Sequence, residues 1–166
     1  MSIFRTALVA LFAITVASAV PHPALCIPDL GPRKREAAIH SMIARAHQAG
    51  AVRDIASVLD AVLMREKLSA GVAAKGVAIP HARALAVLEP RWIVARSARG
   101  IDWGAPDRQP VQLVTLVLSP PEWSAATHLE AVARASAITR LVRLRTRLLD
   151  AADAEAMLAL VRTAAP

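Results

Sequence analysis

The chain has 166 residues, the length of one ordinary domain with enough interior to fold without disulfides or metals. Hydrophobic residues make up 55% of it, and the single cysteine, Cys26, excludes an intrachain disulfide framework or a cysteine-built metal site, so the thiol reads as a small core residue. The net charge of +7 points toward anionic partners, but the basic residues are scattered through helical stretches. There is no Tyr and both Phe lie in the first twelve residues, so a basic and aromatic stripe for stacking bases is missing and nucleic acid is not expected as a partner.

Thr6 to Val20 is an uncharged run that follows Arg5 and ends in Ala17-Ser18-Ala19, the form of a secretory signal with a small-residue cleavage site. Leu25 before Cys26 is too large for a lipoprotein signal. As a membrane anchor the run falls short of the roughly 20 residues that cross a bilayer, and Pro21 and Pro23 prevent its extension. Were it to span, Arg33, Lys34 and Arg35 would hold the following domain in the cytoplasm. A start codon called too early, or the remnant of a transporter helix, is the third reading. The expected organisation is a hydrophobic leader over residues 1–23 and one domain over 24–166.

Ala24 to Leu30 reads as a short strand, broken by Gly31-Pro32. Over Lys34 to Ala49 the apolar positions Ala38, Met42, Ile43 and Ala46 have the spacing of a helix with one buried stripe, closed by Gly50. Arg53 to Leu68 repeats the pattern: Ile55, Val58, Leu59, Val62 and Leu63 face inward, and Arg65 and Lys67 sit where cations suit the helix dipole. A small-residue loop over Gly71 to Lys75 leads into a strand, Gly76 to Ile79, stopped by Pro80, and Trp92 to Arg96 reads as another. Val111 to Leu118 is apolar and β-branched almost throughout, which marks a central strand covered on both faces. Helices over Ala125 to Arg140, Leu141 to Leu149 and Ala154 to Arg162 complete an α/β order, a sheet sandwiched by helices.

Four ordered blocks carry a resemblance. They are Leu63-Met64-Arg65-Glu66-Lys67-Leu68; Gly76-Val77-Ala78-Ile79-Pro80-His81-Ala82-Arg83; Gly100 to Asp107 with Gln109-Pro110-Val111; and His128-Leu129 opening a helix. Together they resemble the enzyme IIA domain of the fructose/mannitol type of the phosphotransferase system, a branch that includes nitrogen-regulatory phosphocarriers. The resemblance implies a mixed sheet flanked by helices and a histidine, His81, that accepts a phosphoryl group from the carrier protein HPr. It further implies Arg65 and His128 beside that histidine, with Ser69 and Arg83 as binding residues. The group would pass to an enzyme IIB or, by its presence, regulate a transporter or kinase, in the cytoplasm; an exported domain is the alternative.

The residue types suit that chemistry. A neutral imidazole is nucleophilic near neutral pH, and an acceptor on one ring nitrogen leaves the other free for phosphorus. His81 follows Pro80 at a strand end, in what reads as an exposed loop able to present it to a partner. An arginine fork meets two phosphate oxygens, and a second histidine orients the first ring. Each residue has a plainer reading as well. His81 could be a surface histidine, Arg65 a helix C-terminal cation, and His128 a helix N-terminal residue beside Thr127, itself a possible cap. No metal or cofactor is expected, because His81 and His128 lack third and fourth ligands at any suggestive spacing. The family's Ser-Thr and glycines before the reactive histidine are here Ser69-Ala70-Gly71-Val72-Ala73-Ala74, which reduces the hydroxyls to Ser69 and puts Ala74 where a glycine is common. A binding module whose histidine is never phosphorylated is the competing expectation.

Overall fold

The computed structural model describes residues 25–68 and 74–164. The leader over 1–23, Ser69 and the departures at Ala70 and Gly71 lie outside the described residues, whereas the departure at Ala74 is described, exposed and bridged to Val77. The elements run β1 (Cys26–Ile27), α1 (Arg35–Gln48), α2 (Ile55–Leu68), β2 (Val77–Ala78), β3 (His81–Arg83), β4 (Arg91–Ile101), β5 (Val111–Ser119), α3 (Ala125–Arg140), α4 (Val142–Asp150) and α5 (Ala154–Ala164).

The sheet is mixed, in the order β1-β4-β5-β2, with β3 also pairing with β5. β4 and β5 form a long antiparallel pair, and the short strands run parallel to it at its two outer edges. Side chains alternate across a strand. Val114, Leu116 and Leu118 of β5 accordingly join the core under α1 and α2, whereas Leu113 and Val117 join the core under α3 to α5. That double burial is why the strand is apolar almost throughout.

Helical periodicity places the buried stripe of α1 at Ala38, Ile39, Met42, Ile43 and Ala46. Asp54 accepts the Ser57 amide at 2.7 Å where α2 begins, and Ser124 accepts the Thr127 amide at 3.0 Å at the start of α3. The α3 cap is therefore Ser124, not Thr127, which puts His128 a full turn inside the helix.

Four strands differ from the sequence reading, β2 among them, which keeps only Val77–Ala78 of the expected Gly76 to Ile79. β1 is only Cys26–Ile27, because Pro28 has no amide to donate to the ladder. β4 runs on to Ile101 through Arg96 and Ser97, since the Arg96 guanidinium is taken inside: it donates to the carbonyls of Pro28 at 2.8 Å, Leu149 at 2.6 Å and Ala151 at 2.7 Å, the last two at the C-terminal end of α4. His81 lies in a strand, not an exposed loop, and is 6% exposed.

Candidate functional site

β3 is short, and its three residues are set by register. His81 pairs with Val117, Ala82 with Leu118 and Arg83 with Ser119, so His81, Arg83, Val117 and Ser119 share one face, toward α3, while Ala82 turns to the opposite core. Pro80 ends the preceding strand, and its carbonyl accepts the Val117 amide at 3.0 Å, which fixes the register of the residue that follows.

On the facing side α3 brings in His128, also 6% exposed. His81 Nδ1 lies 2.9 Å from His128 Nε2, and His128 Nδ1 lies 2.8 Å from the Ser119 hydroxyl. The two rings are tilted by 40° with centroids 5.1 Å apart, which suits an in-plane bond between nitrogens and not stacking. Ser119 is 0% exposed and was not singled out from the sequence. Its signal was a hydroxyl closing an apolar strand just before Pro120-Pro121, a place where a buried polar atom needs a partner.

The bond chain has two allowed polarities. When the His128 Nδ1–H donates to Ser119, His128 Nε2 accepts from the His81 Nδ1–H, and His81 Nε2 carries an open lone pair. In the other polarity His128 Nε2–H donates to His81 Nδ1, and the His81 proton sits on Nε2. The first is the nucleophilic form.

His81 and His128 line a cavity of about 260 Å³ together with Arg65, Arg83, Ala61 and Leu129. Burial pushes the His81 ring below the ordinary imidazole range, and the Arg65 guanidinium pushes the same way. His128 falls further, to about 4, first through burial and then through His81, Arg65 and Arg83. Both rings are thus neutral at pH 7. Arg83 is anchored by one nitrogen, which donates to the Trp123 carbonyl at 2.7 Å; its position at the cavity follows from two-residue alternation with His81. Arg65 occupies the last turn of α2, as the sequence placed it, and reaches the same cavity from the other side of the sheet edge. Of the five residues anticipated, the fold brings His81, His128, Arg65 and Arg83 together, and Ser69 lies outside the described residues. Among the described residues no group of three or more His, Cys, Asp or Glu could hold a metal.

The site is thus a neutral imidazole hydrogen-bonded to a second one and bordered by two guanidiniums, in an α/β domain. The chain belongs to the family described as "Phosphoenolpyruvate-dependent sugar phosphotransferase system, EIIA 2", which matches residues 22–164. It is 33% identical over 135 residues to a nitrogen regulatory protein of Bradyrhizobium diazoefficiens, covering 81% of this chain and 87% of that protein. To the fructose-specific EIIABC component of Bacillus subtilis it is 32% identical over 133 residues, 80% of this chain but 21% of that much longer relative. In fold it matches nitrogen regulatory protein IIA-Ntr from Neisseria meningitidis with a TM-score of 0.76 at 24% identity, over 86% of this chain and 96% of that one. It also matches enzyme IIAMTL of Escherichia coli, solved in complex with phosphorylated enzyme IIBMTL, with a TM-score of 0.70 at 17% identity, over 84% and 95% of the two chains. Membership gives the chain a phosphocarrier or regulatory role in the phosphotransferase system, a family whose proteins carry out phosphoryl transfer.

Proposed function

We propose that the chain is a phosphohistidine carrier: His81 Nε2 takes a phosphoryl group from an HPr-like protein and hands it to an enzyme IIB, or signals to a transporter or kinase by its phosphorylation state. The observation that carries this reading is the Ser119–His128–His81 chain of hydrogen bonds, which occupies His81 Nδ1 and leaves Nε2 at a cavity bordered by Arg65 and Arg83. The Nε2 lone pair forms the new N–P bond as the N–P bond to the donor imidazole breaks. The proton on His81 Nδ1 stays in the bond to His128, so the positive charge that develops on the ring meets an acceptor. The moving group is spread over three charged oxygens in a loose transition state, so the protein's part is position and charge stabilisation by Arg65 and Arg83. The donor is itself a phosphohistidine, and the step uses no nucleotide, metal or cofactor at the acceptor.

Regulatory output is favoured by the nitrogen regulatory relative, which this chain matches over most of its length. Residues 24–166 act as the domain, in the cytoplasm where such donors reside, and 1–23 as a leader through which the chain touches a membrane. Among the described residues no helix is long and apolar enough to cross one.

Incubation of the purified chain with enzyme I, HPr and phosphoenolpyruvate tests the proposal. The expected product is an acid-labile, base-stable adduct that is lost in His81→Ala. An adduct that persists in that variant would assign the wrong residue. No adduct in the wild type would leave the alternative, a regulatory module that is never phosphorylated.

A further inference from the structure

A second and larger cavity, about 620 Å³, opens at the far end of the central hairpin and shares no lining residue with the histidine cavity. Ile101 of β4 pairs there with Val111, whereas His81 pairs with Val117, six residues along β5 and about 20 Å away at the rise of a strand. The β4–β5 register shifts between Arg96 and Ile101, and this irregularity presents Arg99 and Gly100 to the opening.

The charge of the lining is one-sided. Arg33, Lys34, Arg99 and Arg108 border it against a single acid, Asp102, which is taken up by Lys34 at 2.7 Å. The guanidinium groups of Arg33, Arg99 and Arg108 make no hydrogen bond or ion pair with any of the described residues. These three guanidiniums are exposed, so water and salt screen their mutual repulsion, but a hollow bordered by one sign of charge still favours an anion. The hollow has the size of small-molecule sites, which run from about 300 to 1,000 Å³. Its wall includes buried Trp103 and Ala105, with Pro110 at the rim, so the opening has a fixed apolar side as well as a charged one. Planar guanidinium forks match phosphate oxygens two at a time, and three of them spread around a hollow of this size can engage more than one phosphate group at once.

We propose that this groove binds a small anion carrying at least two phosphate groups, at a site separate from the phosphoacceptor. Trp103 gives the site its own reporter. Its indole N–H donates to the buried Glu66 carboxylate at 3.0 Å, and Glu66 follows Arg65 in α2, so the ring is held rigidly between the groove and the helix that serves His81.

The experiment titrates the full chain with inorganic pyrophosphate and with ADP at constant ionic strength, read by tryptophan fluorescence and by calorimetry. The expected result is saturable one-to-one binding of both probes. Arg99→Ala and Arg108→Gly should each weaken it roughly tenfold or more, the value of a charge-assisted contact. Arg108 has a φ of 57°, so glycine relieves its backbone while removing the charge, and the fold is retained. His81→Ala should bind both probes as the wild type does, whether or not His81 is ever phosphorylated. No saturation by either probe would overturn the proposal, as would unchanged affinity in the Arg99→Ala, Arg108→Gly double variant. Binding confined to a single-stranded oligonucleotide would make the face a polyanion surface instead.

Discussion

Ser119→Ala is the sharpest perturbation of the site, because it touches neither the nucleophile nor either cavity arginine. In the wild type the hydroxyl holds His128 Nδ1 at 2.8 Å. The productive polarity requires His128 to keep its proton on that nitrogen, so that Nε2 accepts from His81. Without the hydroxyl, His128 is free to protonate Nε2, donate to His81 Nδ1 and push the His81 proton onto Nε2, where it blocks attack. A buried hydrogen bond of this kind is worth about 0.5 to 1.5 kcal/mol net, which converts to a loss of roughly two- to tenfold in the nucleophilic form. The same change leaves a buried ring nitrogen without a partner, for a stability loss of about 1 to 3 kcal/mol. The assay pairs the initial rate of phosphoryl acceptance from phospho-HPr with nitrogen NMR of the two imidazoles. The wild type should show His81 protonated at Nδ1 alone and the variant a mixture of tautomers. A slower variant whose His81 keeps a bare Nε2 would refute tautomer control and reduce Ser119 to a packing residue.

Arg65→Ala should slow acceptance by about a hundredfold, the loss of one preorganised charged donor, and Arg65→Lys should recover only part of it, because a point charge lacks the fork; equal rates in all three proteins would take Arg65 out of the site. The low value of His128, about 4, carries a stability signature. The unfolded imidazole takes its proton near 6.5 and the folded one does not, so the unfolded state binds more protons between these values and stability falls as pH drops through that window. Between pH 7 and pH 5 the loss from this group is about 2 kcal/mol, and denaturant melts of His128→Gln should show a shallower decline over the same range. Gly100 and Gly104 both have a φ of 73°, but a Cβ on Gly100 would come within 2.6 Å of the Pro110 Cβ, whereas one on Gly104 meets nothing within 4 Å. Gly104→Ala should therefore cost about 1 to 2 kcal/mol from the backbone alone, and Gly100→Ala about 1 to 3 kcal/mol more. Equal melting temperatures would show that the Pro110 contact yields freely.

The long elements were legible in the sequence because each carries its own period. The stripe of α1, the apolar run of β5 and the three C-terminal helices follow from local spacing, and the resemblance carried by the Pro80-His81 block named Arg65 and His128, which line one cavity with His81. The extent of β4 could not be read that way: Arg96 and Ser97 look like a strand end until the carbonyls of Pro28, Leu149 and Ala151, distant in the chain, supply acceptors for the guanidinium. β3 was missed because three residues have too little pattern to mark a strand, and only the edge of β5 makes them one. The burial of His81, the contact of Ser119 with His128 and the nearness of Arg65 are likewise tertiary facts. Local spacing fixes which face of an element a residue occupies, but the pairing of His81 with His128, 47 residues apart, depends on the register of β3 and on the seat of α3 against the sheet, which no stretch of either element encodes alone.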